Sequence, residues 1–152
     1  MKNNIQTFIH LHQQLLKLVE KMPEAKRNQP LFNKWDLKDI LAHLTAWNKL
    51  NAYHTQCAQQ NQNFKWVADT DEFNKNNIQK AKNKTWEQVI NNFNTSAENL
   101  INTFKNLPEQ SWDKKCGPQN KYSPRIFLQC SIDHYQTEHI PQIHKALKTL
   151  WT

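Results

Sequence analysis

A chain of 152 residues with a single glycine and a formal charge of +7 is long enough for one core that buries roughly two-thirds of the surface its unfolded form exposes. It has almost no material for hairpin turns or phosphate-cradling loops, and its apolar residues recur at helical rather than alternating spacing. A Rossmann or P-loop nucleotide site is therefore excluded. No apolar run reaches the ~18 residues needed to cross a bilayer, and Met1 is followed by Lys2, Asn3 and Asn4 without an apolar signal-peptide core. A cytoplasmic protein without membrane contact is expected. The positive charge comes from 18 Lys against 2 Arg in a chain with 19 Asn, a bias of A-rich codons. Phosphate-reading surfaces usually recruit Arg as well.

Residues 4 to 21 carry Ile5, Phe8, Leu11, Leu15, Leu18 and Val19 at three- and four-residue steps, which predicts an amphipathic helix ending before Pro23. A loop over 24 to 34 leads to a second helix from 37 to about 59. Asp36 is its N-cap and Asp39 favours the same end of the helix dipole. The polar run 60 to 63 breaks the pattern. Phe64, Lys65, Trp66, Val67 and Ala68 are too isolated to make a sheet, and Asp69 or Thr70 caps a short crossover helix through about Lys82.

Thr85 then caps a third long helix, with Gln88 at the capping-box position, and Pro108 closes it. After an irregular stretch, Ser123 and Pro124 read as an N-cap followed by Pro at the first helical position, opening a last helix that runs to about Leu150. Four long amphipathic helices with a long connection between the second and third predict a four-helix bundle. Cys57, Cys116 and Cys130 are odd in number and widely spaced, so they read as buried or incidental thiols.

Histidines are the candidates for chemistry. On the last helix, Leu128, Ile132, Tyr135, His139, Ile143, Ala146 and Leu150 form one inward stripe. His134 and His144 lie five residues from His139 and point away from it on an ideal helix, which turns ~100° per residue. Pro141 changes that expectation. It cannot donate to the Thr137 carbonyl, and a local π-bulge would bring His134 into register with His139. On the second helix His43, Trp47, Leu50 and His54 share a stripe. Eleven residues separate His43 from His54 by ~16 Å, so His43 needs partners on another helix. The constellation to test is His43 with His139, joined by His134 or Tyr135. Neutral imidazoles that converge in a bundle hold Zn²⁺ or Ni²⁺ with an open position. The bland readings are a hydrogen-bonded core His and a Tyr135 phenol capped by a backbone carbonyl.

The stretch Trp35-Asp36-Leu37-Lys38-Asp39-Ile40-Leu41-Ala42-His43-Leu44-Thr45-Ala46-Trp47 resembles the second-helix signature of the ClbS/DfsB family, a branch of the DinB-like superfamily. Phe64-Lys65-Trp66 followed by Asn74 resembles its crossover, and His134-Tyr135 with Glu138-His139 its last helix. The likeness covers roughly residues 4 to 150. It implies an all-α fold, with residues 1 to 152 as a single DinB-like four-helix bundle whose crossover between helices 2 and 3 contains a short helix.

The resemblance also implies a protective protein acting on a small electrophilic molecule by hydrolase-type opening of a reactive ring, as in genotoxin self-resistance, without a metal. The family's best-known member places a catalytic Tyr where this chain has His43, an imidazole able to act as general base. The wider superfamily implies instead a divalent-metal-dependent thiol transferase, with His at the His43 position and two His four residues apart on the last helix. His139 matches the second of that pair, and Tyr135 stands at the first. The third ligand is then His134 after a helix distortion, Tyr135, or water. Expected catalytic residues are His43, Tyr135 and His139; expected pocket residues are Trp47, His54, Trp66 and Asn74; expected metal ligands are His43, His139 and His134. The competing expectation is a non-catalytic bundle that binds a ligand, coats DNA weakly through its basic surface, or dimerises with a second copy.

Overall fold

The computed structural model describes residues 2–32 and 34–149. It is all helical, with no strand among the described residues. Helix α1 spans Lys2–Glu20, α2 Leu37–Gln60, the short crossover helix α3 Thr70–Ala81, and α4 Trp86–Lys105. The last helix is composite: α5 covers Pro124–Asp133, a π-helical segment His134–His139, and α6 Ile140–Thr149. Its expected end at Leu150 lies outside the described residues. No helix among the described residues is long and apolar enough to cross a membrane.

Local chemistry explains the helix starts. Asp36 and Asp39 form a reciprocal capping box, the Asp39 N–H donating to Asp36 Oδ1 (2.8 Å) and the Asp36 N–H to Asp39 Oδ2 (3.3 Å). Asp69 accepts from the N–H groups of Asp71 and Glu72 (both 3.0 Å) at the start of α3. Thr85 and Gln88 close a second capping box on α4. In each case a side-chain oxygen satisfies donors that a helix end leaves free. Ser123 departs from the expectation. It is extended and precedes Pro124 at the first helical position, but its hydroxyl makes no capping bond. Pro124 itself removes one of the donors that would need a cap.

The four long helices pack around one core, α1 against α4 and the last helix, α2 against α4 and α5. Phe8, Leu15, Leu37, Leu41, Phe93 and Leu128 are fully buried there. Burying each such side chain contributes ~1.5–3 kcal/mol relative to leaving it in water. The crossover lets α2 and α4 run the same way: Lys82, at the end of α3, bonds Asp39 near the start of α2 (2.6 Å), and Asn48 donates to Ser96 (3.2 Å). Helices α2 and α5 run oppositely, since Asn51 meets Ser131 while His43 meets His134. This antiparallel pair frames the site.

Gly117 sits at φ +72°, and a Cβ there would meet the Tyr122 ring at 3.0 Å and the Trp66 ring at 3.5 Å. The loop therefore approaches both rings as closely as it does only because the residue has no side chain. A backbone bridge between Cys116 and Tyr122 (3.0 and 3.1 Å) fixes the turn.

Asp39 is 4 % exposed and is both a cap and the partner of Lys82, whose amine it holds above its ordinary pKa by hydrogen bonding. Asp39→Ala removes the acceptor and the anion together. We expect a loss of about 1–3 kcal/mol, read from the midpoint of urea unfolding at unchanged slope.

Candidate metal centre

Three imidazoles from two distant parts of the chain meet between α2 and the last helix. His43 Nε2 lies 2.9 Å from His134 Nε2, and His139 Nε2 lies 3.0 Å from the same atom. The ligand atoms of all three fall within 4.8 Å of one another. His43 and His139 are buried and His134 is half-buried. The π-helical turn makes this possible: the Ile140 N–H donates to the Tyr135 carbonyl five residues back, and the inserted residue brings His134 and His139 to one side of the helix.

The hydrogen bonds around the cluster determine where its protons sit. Trp47 Nε1 donates to Asn74 Oδ1 at 3.0 Å, and because an indole N–H can only donate, that atom is the amide oxygen. His43 Nδ1 lies 2.9 Å from the same oxygen and so carries a hydrogen, which leaves a lone pair on Nε2. Gln142 Oε1 lies 2.9 Å from His139 Nδ1 and, accepting from it, favours the same tautomer. Two lone pairs thus aim at His134 Nε2, which has at most one proton to offer. Three nitrogens at this spacing share at most one hydrogen, and a cation satisfies all of them at once.

The donor set fits such an ion. Nitrogens bound at about 2.0–2.1 Å to a common ion lie roughly 3 Å apart, as the His43 and His139 nitrogens each do from that of His134. The site is also dry enough to keep the rings neutral. Burial, then the neighbouring His134 and His139, hold the His43 pKa down to about 3. Burial holds His134 at about 4, and burial with the His134 charge holds His139 at about 4. Neutral imidazole is the metal-binding form. Among the described residues no carboxylate joins the three within that spacing. The nearest, Glu138, places Oε2 3.8 Å from His134 Nε2.

Two cavities flank the cluster. One, of about 500 Å³, runs along α2 from His43 past Trp47 to His54 and is closed by Trp66, Tyr122 and Phe127. The other, of about 760 Å³, is lined by Phe32, Lys34, Trp35, His139 and Gln142. His43, Asn74 and Glu138 border both. The expected pocket residues Trp47, His54, Trp66 and Asn74 all line the first cavity, His54 at the end away from the imidazoles.

Tyr135 is placed elsewhere. It does not face His43 but sits fully buried in the core, with Asn48 donating to its hydroxyl (2.9 Å) and its ring edge-on to Phe8 at 5.1 Å. Burial pushes its phenol pKa up. The inserted residue turns Tyr135 toward α1 and α4 and gives its expected place to His134. Tyr135 lines neither of these cavities, away from the place expected of a proton donor to the site. His144, the other candidate partner on this helix, is exposed. Gln142 was not expected at the site although it stands one turn beyond His139; Trp35 was read as the start of the α2 signature but not as a site residue, and a loop brings its ring to 4.8 Å from that of His43.

A family model described as the DinB superfamily matches residues 7–139. No curated protein and no solved structure gave a match.

Two outcomes follow from the geometry. Asn74→Ala frees the His43 ring and should weaken Zn²⁺ or Ni²⁺ binding about 10–100-fold, measured by competition with a chromophoric chelator. In metal-free protein, unfolded imidazoles take up protons near 6.5 while these three resist until about 3 to 4. The unfolded state therefore binds more protons, and stability falls as pH drops from 6.5 toward 4, by up to roughly 1.4 kcal/mol per pH unit per histidine. Melting temperatures between pH 7.5 and 4.5 test this; a flat profile contradicts it.

Proposed function

The chain belongs to the DinB superfamily, and from that footing we propose that it is a divalent-metal-dependent enzyme that transfers a thiol to a small electrophile. The observation that carries this reading is the convergence of three imidazole nitrogens, from His43, His134 and His139, where two cavities meet. Bound Zn²⁺ or Ni²⁺ supplies Lewis-acid chemistry there, making a thiolate or hydroxide available at neutral pH.

The chain's own residues do the remaining work. Asn74 and Gln142 hold the His43 and His139 rings with Nε2 facing inward, so the donors are preorganised. On this reading His43 is a ligand rather than a general base. Trp47, whose ring lies 6.3 Å from that of His43, shields the reacting groups from water on one side, which strengthens every charge interaction there. The second cavity gives a separate reactant its own approach. Room for two reactants favours transfer over simple hydrolysis.

Within the superfamily we place the chain nearest the ClbS/DfsB branch. Support comes from the ends of its signature, since the Trp35 and Trp47 rings lie 4.8 and 6.3 Å from His43. That placement carries a second reading, in which water is the nucleophile and a strained ring is opened, with His43 as base.

The two readings separate in one assay. Protein loaded with Zn²⁺ or Ni²⁺ should accelerate consumption of cysteine by 1-chloro-2,4-dinitrobenzene, and a chelator or His43→Ala should cut the rate at least about 100-fold. Disappearance of an epoxide or activated cyclopropane in chelated protein, without any thiol, would instead favour hydrolysis.

A further inference from the structure

The cavity between His43 and His54 is chemically unlike the rest of the molecule. The chain carries a formal charge of +7, yet among the described residues no Lys or Arg lines this space of about 500 Å³. Its charged walls are two carboxylates, Asp133 and Glu138. Asp133 Oδ1 accepts from the neutral amide of Gln129 (2.9 Å), and no ion pair of the carboxylate is seen among the described residues. Both acids stand near the imidazole end.

The opposite end is built of rings that support one another. Trp66 stacks on His54 (centroids 5.2 Å apart, planes at 13°) and lies 4.2 Å from Tyr122. Phe127 is parallel to Tyr122 within 7°, and Phe64 stacks on His54 at 4.1 Å. These contacts fix the wall before any ligand arrives. Aromatic faces carry negative electrostatic potential and attract cations as well as other rings. The distance along α2 from His43 to His54 is ~16 Å, room for a fused-ring molecule with a substituent directed at the imidazoles.

We infer that this cavity takes an aromatic molecule that is uncharged or carries a positive charge, and that Asp133, Glu138 and the ring faces together reject organic anions. The inference deepens the proposed reaction by naming the class of its electrophile; it rests on that reading for the chemistry, while the binding itself needs no metal. Trp66 and Tyr122 then select for a ring, and the two carboxylates select for charge.

Three naphthalenes of one shape test it by calorimetry: the (1-naphthyl)methyl trimethylammonium ion, 1-naphthalenemethanol and 1-naphthalenemethanesulfonate, a weak metal ligand. Each is titrated into protein as purified and after chelation, with metal content measured. We expect the ammonium ion and the alcohol to bind at least tenfold more tightly than the sulfonate in both preparations. Trp66→Ala should weaken the first two alike, about fivefold or more. Asp133→Asn, an exposed change outside the ring wall, should weaken the ammonium ion alone and narrow the gap to the sulfonate. A sulfonate that binds as tightly as the alcohol, or a charge preference untouched by Asp133→Asn, overturns the inference. Absence of Zn²⁺ uptake with the expected order of probes would overturn the metal reading and leave this one standing.

Discussion

One additional residue in a helical turn sets the geometry of the site. Pro141 offers no N–H to the Thr137 carbonyl, and its ring crowds that turn. The helix widens ahead of it, with the Ile140 N–H reaching back to Tyr135. In an unbroken α-helix, residues five apart diverge by about 140°, so His134 and His139 would face different neighbours. The widened turn aligns them and places both beside His43 on α2. Wide turns of this kind are rare and recur at functional sites.

The second constraint is solvation. Three imidazoles crowd within hydrogen-bonding distance in a place too dry for charge, an arrangement that costs stability unless something accepts their lone pairs. The surrounding bundle absorbs that cost with a well-filled core, in which Phe8, Phe93 and Tyr135 pack edge to face and face to face. The capping boxes at Asp36 and Thr85 hold the two helices on which the crossover is hung. Structure spent on rigidity elsewhere maintains a strained, uncharged cluster at one point.

Much of this is legible in the amino-acid sequence. Helix starts depend on side chains within three residues of the backbone they serve, so Asp36, Asp69 and Thr85 announce themselves, whereas Ser123 fits the pattern without making the bond. The apolar stripes place His43 and His139 on inward faces, and Pro141 signals the distortion that admits His134. The same distortion hid the position of Tyr135, because a stripe drawn on a regular helix keeps it beside His139 when the widened turn carries it to the opposite flank. The aromatic wall was hidden for a different reason. Trp66, Tyr122 and Phe127 come from two loops and a helix, and they meet through the close passage at Gly117 and the Cys116–Tyr122 bridge, contacts that no local pattern encodes. The Asp39–Lys82 ion pair, spanning the whole crossover, was equally silent.

The Asn74 amide has a consequence for how the centre is filled. Its oxygen accepts from both Trp47 and His43, so the crossover helix holds the imidazole in its ligating tautomer before an ion arrives. At neutral pH the three rings themselves then give up no hydrogen ion on loading, and any proton released would come from water held on the ion. A centre of this kind competes for metal on equal terms in mildly acidic and neutral surroundings, where thiolate-based sites lose ground to protons.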